Sequence, residues 1–217
     1  MNSQQPEVIS YRALRRAIGV LGILLPLLVT VMARVFGQTG CQPSISAYFH
    51  TTAREVFVGV LAVVGAFLIS YKGFDSTDSR ASNLAGVAAL CVAAFPCKSG
   101  LAGPKIGIFQ LPQAWSNPIH FLTAAVLFAT LAGISAFLFT RTDAPAAMTR
   151  QKKSRNVVYR TCAVVMALAL LEIAASSLLM TEPKQNLYRT TLLGETIALL
   201  AFGVSWLVKG ETILRDK

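Results

Sequence analysis

The chain has 217 residues, 54% of them hydrophobic and only 14% charged, with a net charge of +10. Typical globular chains are roughly 45–50% apolar and about 25% charged. This composition, with a mean hydropathy of +0.57, excludes a disordered chain, a collagen, a coiled coil and a disulfide-dense secreted module, and nearly excludes a soluble enzyme. What remains is an all-α, multi-pass membrane protein.

A helix that crosses a hydrocarbon core of about 30 Å needs roughly 17–25 mostly apolar residues. In chain order, six stretches fit or come close: 17–33, 56–71, 82–97, 118–140, 161–180 and 190–208. With their flanks, the predicted spans cover 17–36, 54–72, 82–97, 118–140, 158–180 and 190–209, and residues 1–217 read as one integral membrane domain, a six-helix bundle. The first stretch, 17–33, carries no charge. Preceded by Arg15-Arg16 and followed by Val31-Met32-Ala33, it also has the form of a secretory signal with a small-residue cleavage site, which would leave five spans. The third is short and closes on Phe95-Pro96. The fourth opens after Asn117-Pro118, a cap followed by a first-turn proline. The last two each carry one acid, Glu172 and Glu195.

Positive loops are retained in the cytoplasm. With the N-terminus inside, the inner segments hold 14 basic residues: Arg12, Arg15, Arg16, Lys72, Arg80, Arg141, Arg150, Lys152, Lys153, Arg155, Arg160, Lys209, Arg215 and Lys217. The outer ones hold 6: Arg34, Arg54, Lys98, Lys105, Lys184 and Arg189. The expected topology is therefore N-in, C-in, in a plasma (inner) membrane. Topology also explains most of the positive charge, and no soluble module is present to carry a nucleic-acid site. Membrane lipids are the expected partners. The cluster Arg150, Lys152, Lys153 and Arg155 favours anionic headgroups, or simply sets the topology. The loop 98–117 mixes Gly100, Gly103, Pro104, Gly107 and Pro112 with Ile106, Ile108, Phe109, Leu111 and Trp115, which suits a segment lying on the outer interface.

Of the four cysteines, Cys91 and Cys162 fall inside spans, whereas Cys41 and Cys97 both fall on the outer side, where an oxidising compartment would let them form a disulfide.

Ionisable groups inside spans are costly and are candidates for function. By helical rise, Glu172 lies about 12 Å and Glu195 about 8 Å below the outer boundary, and His120 lies in the first turn of span four. Between Pro43 and Gly73 no glycine or proline pair interrupts the pattern, so span two is predicted to extend outward as one helix capped by Ser44. On that helix Ser46, His50 and Arg54 recur every four residues, forming one stripe. If the stripe faces the bundle, an outward-facing intramembrane pocket is lined by Ser46, His50, Arg54, His120, Glu172 and Glu195. Each has a plainer reading: Arg54 as a marker of the water boundary, His120 as a donor to a nearby backbone group, Glu195 as a group reaching for the interface, Glu172 as half of a buried pair.

The block Ser44-Ile45-Ser46-Ala47-Tyr48-Phe49-His50, with Arg54-Glu55-Val56-Phe57-Val58-Gly59, Tyr71-Lys72-Gly73 and the C-terminal run from Phe202 to Gly210, resembles a family of uncharacterised six-span bacterial membrane proteins. That resemblance implies architecture and no chemistry. Ser46-x3-His50 is also similar to the Ser-x3-His element of the intramembrane zinc hydrolases that include alkaline ceramidases and adiponectin receptors. Those enzymes add an Asp and a His-x3-His pair on their last span, whereas this chain has only two histidines, His50 and His120, and none in span six. By that resemblance a catalytic zinc would need His50, His120 and Glu172 or Glu195 with a water, and the catalytic candidates would be Ser46, His50, His120 and Glu172. No phosphate-binding loop, GxSxG elbow, HExxH or dinucleotide fingerprint occurs. The sequence therefore favours a pocket that binds a lipid or small amphiphile without a cofactor. A proton-coupled carrier using Glu172 and Glu195, and a lipid hydrolase, possibly zinc-dependent, are the alternatives.

Overall fold

The computed structural model describes residues 10–73, 75–100, 103–142 and 149–214; Arg215 and Lys217 lie outside them. Helix α1 (Tyr11–Gly37) begins where the Ser10 hydroxyl accepts the Ala13 N–H, and it ends at Gln38 in the left-handed region. A 3-10 turn (Ser46–His50) precedes α2 (Arg54–Ser70). Helix α3 (Ser76–Ala94) is capped by Asp75, whose Oδ1 accepts the Asp78 N–H at 2.9 Å. It stops before Pro96, which disfavours helical geometry at Phe95. Strands β1 (Lys105–Ile106) and β2 (Leu111–Pro112) form a small antiparallel hairpin that leads into α4 (Gln113–Gly133) and its π-helical extension (Ile134–Leu138). Then come α5 (Arg150–Leu179), the short α6 (Glu182–Tyr188) and α7 (Thr190–Lys209).

Each long helix packs on the next, α1 on α2, α2 on α3, α3 on α4, α4 on α5 and α5 on α7, and α7 closes the ring against α1. Small residues set the closest approaches, as is usual for helices packing in a membrane. A Cβ at Gly203 would lie 2.6 Å from the Gly19 carbonyl oxygen, and α2 and α3 meet in the same way at Gly65 and Gly86. The helices alternate in direction, so the bundle has two distinct ends. At the basic end, Tyr71, Phe139, Tyr159, Phe202 and Trp206 form a chain of edge-to-face rings. At the hairpin end lie the 38–53 connection, β1–β2 and the start of α7.

Among the described residues, four helices are long and apolar enough to cross a membrane: Tyr11–Gly37, Gln113–Leu138, Arg150–Leu179 and Thr190–Lys209. The two expected short spans correspond to α2 and α3. Helix α2, with 17 residues, rises only about 25 Å, and the first turns of α3 are polar.

The structure corrects several expectations. Residues 44–73 are not one helix. Thr51 is extended, its hydroxyl donates to the Tyr48 carbonyl and accepts the Ala53 N–H, and the chain breaks there. A threonine that bonds its own backbone competes with helix, and this was the overlooked signal. Helix α4 starts at Gln113 rather than at Pro118, which lies inside it. The Cys41–Cys97 disulfide is not formed; both thiols are free, Cys41 exposed and Cys97 buried.

Candidate functional site

The hairpin end is organised around three consecutive carbonyls. After α3 stops, the carbonyl oxygens of Phe95, Pro96 and Cys97 have no helical partner, and each would be costly to leave unpaired. Each receives a side chain: His120 Nδ1 lies 2.8 Å from Phe95 O, the Ser116 hydroxyl donates to Pro96 O at 2.7 Å, and His50 Nε2 lies 2.8 Å from Cys97 O. The next two N–H groups are also taken, Lys98 by Asn117 Oδ1 at 2.8 Å and Ser99 by Gln113 Oε1 at 3.0 Å. Gln113, Ser116, Asn117 and His120 are spaced i, i+3, i+4 and i+7, one face of α4. That polar face straps the α3–α4 connection to the bundle, and His50, from the 3-10 turn, meets the same connection at the Cys97 carbonyl. Burial lowers the His50 pKa from 6.5, opposed by the Cys97 carbonyl and reinforced by the positive Arg54.

Ser46 and Glu195 form a second unit. The Glu195 carboxylate accepts the Ile45 N–H at 2.5 Å, the Ser46 hydroxyl at 2.9 Å and the Ser46 N–H at 3.3 Å. It thereby fastens the start of the 3-10 turn to α7, and Arg189 Nη1 holds the same connection through Cys41 O at 2.8 Å.

Arg54 is exposed. Its Nε donates to Phe49 O at 2.9 Å and its guanidinium lies 4.9 Å from the centre of the Phe49 ring. Here a pocket of about 660 Å³ opens between the 3-10 turn, α2 and the β1–β2 hairpin. Phe49, Val58, Ile106 and Ile108 supply apolar wall; His50, Arg54, Glu55 and Lys105 supply polar edge.

Glu172 stands apart from these groups. It is exposed in a shallow apolar groove between α5 and α7, where a Cβ at Gly194 would come within 2.7 Å of its Oε2. Of the six residues expected to line one cavity, the structure thus pairs Ser46 with Glu195, brings His50 and His120 to one strap, sets Arg54 beside His50 on an open pocket and places Glu172 on the outside of the bundle. Among the described residues, no group of three or more His, Cys, Asp or Glu side chains is placed to hold a metal ion. The sequence reading has no role for Gln113 or Ser116 and takes Asn117 as a helix cap, although the spacing of all three with His120 is visible; Asn117 instead lies within α4 and accepts the Lys98 N–H.

Comparison with protein-family models, with curated proteins and with solved structures finds no match.

Proposed function

We propose that the chain is a six-span inner-membrane protein with both termini in the cytoplasm, and that its hairpin-end pocket faces outward and binds a lipid or small amphiphile through an anionic headgroup. The observation that carries this reading is the pocket of about 660 Å³. Its apolar wall suits a chain or ring, while Arg54 and Lys105 at its edge suit a negative group. The hairpin beside it exposes Ile108 and Phe109, and Trp115 is 68% exposed at the start of α4; such residues sit comfortably at a membrane interface.

The count of six spans rests on the outward faces of the short pair. Leu84, Val87 and Leu90 form an exposed apolar row on α3, and Val63 and Ile69 are exposed on α2. Rows of this kind are at home in lipid and expensive in water. The resemblance to a six-span bacterial family supports the same count. The orientation follows from the 14-to-6 distribution of basic residues.

The reading is tested by titrating purified protein with short-chain phosphatidylglycerol and, in parallel, phosphatidylcholine, following tryptophan fluorescence. Saturable binding that prefers phosphatidylglycerol is expected, weakened several-fold by Arg54→Glu, since an exposed charge contact is worth roughly 0.2–1 kcal/mol and the substitution turns attraction into repulsion. Gly59→Leu is expected to block the pocket without disturbing the fold, because a Cβ at Gly59 meets nothing within 4 Å. Binding that neither substitution alters overturns the proposal.

A further inference from the structure

The basic end holds a second pocket, of about 360 Å³, bordered by α1, α3, the π-helical end of α4 and α7. Arg15, Lys72, Arg141 and Lys209 line it, against one acid, Asp78. Arg141 is already engaged by Asp75 at 2.8 Å and by Asp78 at 3.1 Å. Two other cations at this end serve helix C-termini: Arg16 Nε donates to Gly210 O at 2.8 Å and Lys152 Nζ to Phe139 O at 2.9 Å.

Arg15 and Lys209 are different. Neither forms an ion pair among the described residues. Arg15 Nη2 donates to the Tyr71 hydroxyl at 3.0 Å, but its Nε is buried with no hydrogen-bond partner. Lys209 Nζ has an aromatic face beneath it, 5.1 Å from the centre of the Phe139 ring. The indole N–H of Trp206, whose ring contacts both Tyr71 and Phe139, is also buried without a partner. Of the residues lining this pocket, Arg15 holds the one buried donor without a partner among the described residues, and the Trp206 indole lies behind the Tyr71 and Phe139 rings that line it. A buried donor without an acceptor is costly, and an anion rich in acceptor oxygens beside Arg15 and Lys209 meets that need and their positive charge together.

We infer that the basic-end pocket is a binding site for a phosphate group, held by the Arg15 guanidinium and the Lys209 ammonium. Arginine suits the planar, two-point recognition of a phosphate, and lysine adds a point charge. The same chemistry is offered by the headgroup of a phospholipid in the adjoining leaflet and by a soluble phosphate or phosphomonoester. The site is separate from the hairpin-end pocket and does not depend on what occupies that pocket.

The test uses full-length protein in a neutral detergent and reads the ligand-induced change in unfolding temperature. One arm adds inorganic phosphate or glycerol phosphate against chloride at equal ionic strength; the other adds phosphatidylglycerol against phosphatidylcholine in mixed micelles. Saturable stabilisation is expected in at least one arm, and the arm that shows it identifies the source. Lys209→Gln and Arg15→Gln should each weaken it at least tenfold, Lys209→Arg should retain it, and Lys153→Gln, an exposed cation on α5 away from the pocket, should leave it unchanged. Because each variant is compared with itself, with and without ligand, a loss of intrinsic stability does not mimic loss of binding. No stabilisation in either arm, or equal loss in Lys153→Gln and Lys209→Gln, overturns the inference.

Discussion

Glu195 provides a graded test of how the hairpin end is held. Its carboxylate receives three donors, two of them at 2.5 and 2.9 Å and one at 3.3 Å, and the donor residues Ile45 and Ser46 are buried. Glu195→Gln preserves the shape. The amide oxygen can take the place of Oε2 and accept both N–H groups, while the amide nitrogen donates to the Ser46 hydroxyl, which rotates to accept. The expected cost is about 1 kcal/mol or less, the difference between charged and neutral hydrogen bonds. Glu195→Ala removes the acceptor, and two well-formed bonds at about 1–3 kcal/mol each set a range of roughly 2–6 kcal/mol. A void of about 40 Å³ already adjoins Glu195. Together with the space vacated by the side chain it can admit a water to the orphaned donors, so the alanine cost falls near 3 kcal/mol. Glu195→Leu fills that space, excludes the water and leaves the donors bare, and its cost moves to about 4–6 kcal/mol. At roughly 2–4 °C per kcal/mol for a chain of this size, thermal unfolding in detergent should fall by under about 4 °C for Gln, roughly 6–12 °C for Ala and more for Leu. An order in which Leu is the mildest substitution, or in which Gln equals Ala, refutes the anchoring role.

Because the folded pKa of His50 is depressed, the neutral imidazole is the form the fold favours. The unfolded chain therefore binds the extra proton first, and stability should be full above pH 6.5 and decline as the pH falls from there through the lowered folded value; His50→Gln, which keeps a donor for Cys97 O, should flatten that part of a denaturation-versus-pH curve. Cys41 is exposed and Cys97 buried, so maleimide at neutral pH should label Cys41 and spare Cys97 until the protein is unfolded, as read by peptide mass spectrometry. Equal labelling of both in native protein contradicts the strap. Gly203→Ala places a Cβ 2.6 Å from the Gly19 carbonyl oxygen and 2.5 Å from Ile23, and should cost about 1–3 kcal/mol by forcing α1 and α7 apart. Gly59→Ala, facing open space, should be neutral or stabilising by up to about 1 kcal/mol; similar unfolding temperatures for the two variants contradict the packing of α1 on α7.

The class of the fold was legible because long apolar blocks have few alternatives, and α7 follows its predicted limits, 190–209, to the residue. Helix limits elsewhere were harder, because hydropathy marks the apolar stretch while capping marks the helix. Helix α3 starts six residues before its expected span, at a cap supplied by Asp75, and α5 starts at Arg150, after the Thr149 hydroxyl accepts the Lys152 N–H at 3.1 Å. The stripe through Ser46, His50 and Arg54 failed for a local reason. Its periodicity presumes a helix, and the Thr51 hydroxyl diverts the backbone within it.

The candidate site shows where a rule about polar residues in apolar sequence stops being informative. His50, His120, Ser46 and Glu195 stand out in the sequence because charge and hydrogen-bonding capacity are rare there. In the structure His50 and His120 are engaged by carbonyls left unpaired beyond the end of α3, and Glu195 takes the Ile45 N–H together with the Ser46 hydroxyl. Their rarity reflects a local backbone demand, and a Pro96 that ends a helix among apolar neighbours announces that demand in the sequence. Arg15, Lys209 and Trp206 read as ordinary residues of a membrane boundary, two cations and an aromatic. Only packing reveals that Arg15 Nε, on a side chain lining an open pocket, and the Trp206 indole N–H, behind two of that pocket's lining rings, are buried without acceptors. The better marker of a binding site in such a chain is donor capacity left over after the backbone has been served, and that remainder is set by contacts between α1, α2, α4 and α7 that lie far apart in sequence.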